Sequence, residues 1–466
     1  MRKSTFLLLL FLPLVAFAAG KAKYVFFFIG DGMGVDQVNG TEMFLAEKEG
    51  FIGTTPLLFT QFPVMSVAST YSKTNSVTDS SAGGTALSTG IKTYNGAIGV
   101  DIDKKAVPSV AHRAKKAGSK VGVITSVSVD HATPAAFYAH QPDRNMYYEI
   151  AKDLIVADFD FYGGAGFLKP EKDFEGNKAP NVFPMFDAAG YKLYRGMNAY
   201  KQATNSGKVI LIQEEGKSEH SLNYAIDRKE GDMTLRDITK SAINHLSAKN
   251  KKGFFLMVEG GKIDWACHDN DAATTFQEVV DLNDAVAEAY EFYKKHPKET
   301  LIVITADHET GGLALGTGKY ALNLKALESQ EVSAGELSNR MSKLRKEKNN
   351  KVSWEDMKEF LSDNMGFWDE VELTWAQERA LRDEFEASFV SSKHKFEESM
   401  YTKTEPLASR AKEVMNEIAM VGWASHSHSA NYVPVYAIGA GADLFKGKQN
   451  NIDIPKKVAE AAGYKW

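Results

Sequence analysis

Residues 24 to 30 read YVFFFIG, an unbroken apolar run that suits a strand buried on both faces, and it ends at Asp31 inside the turn GDGMG. The same kind of run recurs as VGVIT at 121–125, GFFLMVE at 253–259, TLIVITAD at 300–307 and VPVYAIGAG at 433–441. Helical patterns such as AVPSVAHRAKKAG and TLRDITKSAINHLSAKN lie between them. Apolar strands alternating with helices predict an α/β fold around a mostly parallel sheet. Such sheets bind ligands beyond the carboxyl ends of their strands, where Asp31, Glu259 and Asp307 all fall. The turn GDGMG is not a dinucleotide fingerprint, because the third glycine of G-x-G-x-x-G is replaced by Val35. Its central carboxylate repels a pyrophosphate and suits a cation.

The chain has 466 residues, 44% of them apolar, which is ample for a large core. Its 55 basic and 60 acidic residues leave a net charge of -5, which argues against nucleic acid as a specific partner. Residues 1–19, MRKSTFLLLLFLPLVAFAA, combine a basic start, a short apolar stretch and small residues, the pattern of a cleavable signal peptide. No later run reaches about 18 apolar residues, so no membrane span is expected. Cys267 is the only cysteine, so no intrachain disulfide is expected. These features favour a periplasmic protein, with secretion close behind. From about 316 to 421 the sequence turns charged and amphipathic, with capping-box patterns at Ser353/Asp356 and Thr374/Gln377. It reads as a helical cap or insertion within a single domain spanning 20–466.

Five motifs carry chemistry. EGGKIDWACH places Asp264 and His268 four residues apart, one helical turn, which lets two ligands grip one metal, with Glu259 just before them. TADHETGG offers adjacent Asp307 and His308 after a strand, and WASHSHSAN supplies His426 and His428, one suited to a ligand and the other to the surface. VTDSSAGGTALSTG puts Ser80 after Asp79 where a helix can open and its dipole favour an anion; the plainer alternative is an N-cap. VDHATPAAFYAHQPDR brings together His131, Thr133 and Arg144, and arginine grips phosphate with a planar fork. Singly, each motif also has a structural reading: a capped helix, a hydrogen-bonded Asp-His pair, a surface arginine.

Together and in this order, GDGMG, TDSSAGGTA, HATPAA with Arg144, EGGKIDWACH, TADHETGG and the late His-Ser-Ala resemble the alkaline phosphatases, over about 22–315 and 422–445. The resemblance implies a three-layer sandwich with helices on both faces of the sheet, and hydrolysis of phosphate monoesters to inorganic phosphate. It implies two zinc ions, one on Asp264, His268 and His428 and the other on Asp31, Asp307 and His308. A third metal, magnesium, would lie on Asp31, Thr133 and Glu259. Ser80 would be the nucleophile that forms a phosphoserine and Arg144 the phosphate clamp, in a homodimer.

Two positions depart from the family pattern. His131 stands where some members carry an aspartate near the third metal, which makes it a candidate ligand there. Trp265 stands where members carry lysine or histidine, and is a candidate substrate contact. Among rivals, a sulfatase is disfavoured because Ser80 is followed by S-A-G-G rather than x-P-x-R. A phosphodiesterase of the same superfamily and a non-catalytic phosphate-binding envelope protein are the alternatives.

Overall fold

The computed structural model describes residues 21–203, 206–318, 320–391, 395–398, 401 and 403–466. The signal peptide expected at 1–19 lies outside them. Ten strands form one sheet: β1 (Tyr24–Gly30), β2 (Val64–Ser69), β3 (Lys120–Thr125), β4 (Phe161–Gly163), β5 (Tyr191–Arg195), β6 (Lys208–Ile212), β7 (Phe254–Gly260), β8 (Thr300–Thr305), β9 (Val433–Gly439) and β10 (Gln449–Asn450). Their order across the sheet is β10-β2-β9-β8-β1-β7-β3-β4-β6-β5. All neighbours pair in parallel except β9, which runs antiparallel to both β8 and β2.

β1 occupies the centre because its sequence leaves it no exposed face. All seven residues are buried, and successive side chains go to opposite sides. Phe26 packs edge-on against Phe254 and Phe292 on one side, while Phe27 meets Phe137 and Phe255 on the other. Each phenylalanine buried this way contributes roughly 1.5–3 kcal/mol. Helices Leu235–Ser247 and Ala272–Lys295 cover the first face, and helices Val110–Lys116 and Ile454–Ala462 lie on the other. A sheet sealed on both faces can place polar chemistry only at its strand ends. The register aligns those ends: Ile29 stands beside Glu259 in β7 and beside Thr305 in β8.

The stretch from 316 to 421 leaves and rejoins this body at one place. Leu313–Leu315 pairs antiparallel with Val421–Trp423, and Leu315 lies opposite Val421. Between these strands, helices Ala334–Glu347, Trp354–Met365, Trp375–Phe385 and Pro406–Ala419 build a second apolar cluster around Leu337, Met341, Met357 and Met415, which Phe44 and Phe276 join from the main body. The capping boxes at Ser353/Asp356 and Thr374/Gln377 start two of those helices.

The segment is seated on the loop that follows His268. Asn416 Nδ2 donates to the Asn270 carbonyl at 2.7 Å, and Lys412 Nζ donates to that of Asp269. Asp271 caps helix Ala272–Lys295 through Thr274 N at 3.1 Å, and also accepts from Gln330 Nε2 and Ala334 N, each at 3.0 Å. Replacing Asp271 with alanine removes a cap worth about 1 kcal/mol and strands a buried amide at about 1–3 kcal/mol. Asp271→Ala is therefore expected to lose roughly 2–4 kcal/mol in denaturant unfolding. An unchanged midpoint would contradict this tie between the two apolar clusters.

Candidate active site

The turn after β1 brings the first carboxylate into a crowded place. Gly32 has φ +72°, and a Cβ there would lie 2.8 Å from Asp264 Cα, so only glycine lets helix Lys262–His268 approach this closely. That helix begins directly after β7 and carries Asp264 and His268 on successive turns of one face. Asp307 and His308 follow β8, and Glu259 is the penultimate residue of β7. All six side chains are buried. His428 arrives from far along the chain through a two-residue antiparallel pairing of Glu309–Thr310 with His428–Ser429, in which it faces Thr310.

The donor atoms converge at metal-ligand spacing. A tetrahedral zinc with bonds of about 2.0–2.1 Å separates its ligand atoms by about 3.3 Å. Asp264 Oδ1 lies 3.4 Å from His268 Nε2 and 3.6 Å from His428 Nε2, and those two nitrogens are 3.1 Å apart. In a second set, His308 Nε2 lies 3.3 Å from Asp31 Oδ1 and 3.4 Å from Asp307 Oδ2. In a third, ligand atoms of Asp31, His131 and Glu259 fall within 4.8 Å of one another. Thr133 Oγ1 sits at its edge, 3.3 Å from Asp31 Oδ2 and 3.2 Å from Asp307 Oδ2.

Charge explains why this cluster suits cations. Burial, followed by the neighbouring Asp307, Asp264 and Glu259, holds Asp31 well above the usual carboxylate range. Burial pushes Glu259 up to about 8 and Asp307 up to about 7. Burial works against the charged forms of Asp264 and His268 too, but their mutual attraction outweighs it, lowering Asp264 and raising His268 to about 9. Glu259 Oε1 and Asp264 Oδ2 are buried with no hydrogen-bond partner among the described residues. Four buried carboxylates cannot all ionise together unless positive charge stands among them. Burial and then Arg144 push His131 down to about 3, so its imidazole is neutral and can act as a ligand.

Backbone carbonyls orient the imidazoles. His268 Nδ1 donates to the His426 carbonyl at 2.6 Å and His428 Nδ1 to that of Thr78 at 2.9 Å, which turns both Nε2 atoms to the donor set. Ser80 is the first residue of helix Ser80–Thr89, whose N-cap, Asp79, accepts from Ala82 N. Ser80 Oγ lies 3.2 Å from His308 Nε2. The helix approaches so closely that a Cβ on Gly83 would meet the Asp307 carbonyl at 2.9 Å. Arg144 Nη1 lies 3.3 Å from Oδ2 of Asp79, the residue before Ser80, and Arg144 Nη2 lies 3.5 Å from His131 Nε2. The ring of Trp265 is stacked on Tyr401, with centroids 4.3 Å apart, and stands edge-on to His131. The residues singled out from the motifs thus form one contiguous site, and His426 alone is left exposed at its rim.

A family model described as alkaline phosphatase matches residues 22–160 and 177–464. The chain belongs to the alkaline phosphatase family. It is 34% identical to alkaline phosphatase 4 of Bacillus subtilis (strain 168) over 384 residues, 81% of this chain and 75% of that protein. Among solved structures, the cold-active alkaline phosphatase from the psychrophile Shewanella sp. matches with a TM-score of 0.79 and 29% identity, covering 94% of this chain and 99% of that one. The alkaline phosphatase from the Antarctic bacterium TAB5, in a mutant form with a histidine changed to aspartate and magnesium bound in its M3 site, matches with a TM-score of 0.66 and 26% identity, covering 96% and 99%.

This alkaline phosphatase is thus a metal-dependent phosphatase, and part of its site was not legible in the motifs. Thr310 Oγ1 donates to Asp264 Oδ1 at 2.5 Å and lies 3.2 Å from His308 Nδ1, linking the first two ligand sets. Thr125 donates to Glu259, and Ser429 to Glu309. Thr310 and Glu309 had a sequence cue in their place inside TADHETGG, and Ser429 in its place inside WASHSHSAN. Chelation of this phosphatase is expected to release bound metal and lower its thermal midpoint by several degrees, with recovery on adding metal, because unbalanced buried carboxylates oppose folding. Elemental analysis beside thermal unfolding checks this. An unchanged midpoint after complete metal removal would contradict it.

Proposed function

We propose that this alkaline phosphatase hydrolyses phosphate monoesters through a phosphoserine at Ser80, in a site that holds two zinc ions and one magnesium. The observation that carries the reading is Ser80 Oγ at the start of a helix, 3.2 Å from His308 Nε2, with Arg144 held 3.3 Å from the carboxylate of the adjacent Asp79. Asp264, His268 and His428 would hold one zinc, and Asp31, Asp307 and His308 the other. Asp31, Thr133, Glu259 and His131 would hold the magnesium. When bound, these ions supply Lewis acidity that lowers the pKa of hydroxyl and water and stabilises the departing oxygen.

In this reading the Ser80 oxygen attacks phosphorus, the ester P–O bond breaks, and the alcohol departs with a proton. Water then attacks the phosphoserine, the bond to Ser80 Oγ breaks, and inorganic phosphate leaves. Arg144 orients the ester by a bidentate fork on phosphate oxygens, and Asp79 holds the guanidinium in place. Trp265 contacts the substrate beside it. The helix N-terminus at Ser80 favours the anion. We further propose that residues 316–421 act as a cap within one domain, that the protein is a homodimer, and that it is exported to the periplasm or secreted. Among the described residues no helix is long and apolar enough to cross a membrane.

Ser80→Ala is expected to abolish the covalent phosphoenzyme and leave weak hydrolysis by direct attack of water. Radiolabelled phosphate trapped on that variant after acid quench would overturn the nucleophile assignment. Arg144→Ala should raise the inhibition constant of inorganic phosphate by roughly 10–100-fold, the worth of a charge-assisted hydrogen bond, with bound zinc unchanged. Equal phosphate inhibition in the variant counts against the clamp. His131→Asp replaces an imidazole suited to zinc with an oxygen ligand suited to magnesium, so less added magnesium should restore activity after dialysis. The TAB5 form with a histidine-to-aspartate change and magnesium in its M3 site supports this expectation. An equal or higher requirement in the variant removes His131 from the third set.

A further inference from the structure

Of the residues in the first two donor sets, His428 has the weakest backbone support. Asp31, Asp307 and His308 follow β1 and β8 closely, and Asp264 and His268 stand on the helix that follows β7, so the central sheet fixes these five. His428 has the two-residue pairing of Glu309–Thr310 with His428–Ser429 and the bond from its Nδ1 to the Thr78 carbonyl. A strand pair that short does not hold its register by backbone hydrogen bonds alone.

A buried carboxylate secures the pairing. Glu309 is 2% exposed, and its oxygens accept from Gln37 Nε2 at 2.7 Å, Gly312 N at 3.0 Å, Leu313 N at 3.4 Å and the hydroxyl of Ser429, the residue after His428. Gln37 belongs to helix Val35–Lys48, which opens just after the GDGMG turn, and its Nε2 also donates to the Thr310 carbonyl at 2.9 Å. Glu309 therefore joins the element behind Asp31, its own strand and the strand of His428. The opening turn makes room for it: a Cβ on Gly34 would lie 2.3 Å from Glu309 Cγ, which accounts for the last glycine of GDGMG. An ionised carboxylate only accepts, which suits it to converging donors, whereas a carboxamide in its place would turn an N–H toward some of them. Glu309 itself belongs to none of the three donor sets.

We propose that Glu309 is a positioning residue for the zinc on Asp264, His268 and His428: through the Ser429 hydroxyl it fixes the strand that carries His428 and so sets how tightly the three close on the ion. The proposal rests on the two-zinc reading. Groups that orient metal ligands from behind change affinity by about 10–100-fold. The effect of losing the Ser429 bond should be confined to one ion, because Asp31, Asp307 and His308 are placed by β1 and β8 without it.

The test is competition for zinc with a chelator of known strength, with elemental analysis counting the ions held per chain. The native protein is expected to hold two zinc ions tightly. Ser429→Ala and Glu309→Gln should each weaken one of them about 10–100-fold and leave the other unchanged. Ser429→Thr, which keeps the hydroxyl, should bind both as the native protein does. His428→Ala should lose that same ion, so its combination with Ser429→Ala should still hold the other at native strength. Ser429 is half-buried, so its variants carry the test even where Glu309→Gln does not fold. Native affinity for both ions in Ser429→Ala, equal weakening of both, or a weakened second ion in the double variant would overturn the proposal while the two-zinc reading stands. A native protein that holds no zinc tightly would overturn that reading, and this proposal with it.

Discussion

The structure depends on like charges gathered where they least belong. Three adjacent parallel strands, β7, β1 and β8, deliver Glu259, Asp31 and Asp307 to one edge of a sheet sealed by phenylalanines, and a helix packed against a glycine adds Asp264. Removing four carboxylates from water is costly, and their mutual repulsion adds to the cost. Histidine nitrogens and Arg144 offset part of it, and cations at the centre would offset the rest. The same charge that makes the site difficult to fold without metal makes it suited to gathering cations.

Holding the donors in place falls to residues that never touch the reacting atoms. The carbonyls of His426 and Thr78 set the tautomers of His268 and His428, and Thr310 bridges Asp264 and His308. The loop that follows His268 is clamped by Asn416, Lys412 and Gln330 from the segment between 316 and 421. That segment therefore bears on His268 through the backbone that follows it, and Tyr401 stacks on Trp265 beside His268.

Much of this was legible in the chain. The runs that became β1, β3, β7, β8 and β9 are apolar throughout, because strands buried on both faces have no polar alternation to hide them. β2 escaped notice because Met65 is exposed and Ser66 and Ser69 interrupt its apolar pattern, and β5 because its edge position tolerates Lys192 and Arg195. Asp264 and His268 were readable as neighbours because helical spacing is local. The choice between His426 and His428 was not, since it turns on the register of a two-residue strand pair more than a hundred residues downstream of its partner. Thr125 and Tyr401 carry no spacing signal, because their roles arise only when distant segments meet.

The central claim, that two sets of converging donors each hold a zinc ion, is tested most directly by anomalous diffraction. Data collected on either side of the zinc absorption edge, from crystals of protein purified without chelator, should show two strong peaks. One should lie among Asp264, His268 and His428, and the other among Asp31, Asp307 and His308. Zinc peaks confined to other positions, or none in crystals whose protein turns over phosphate monoesters, would contradict the account.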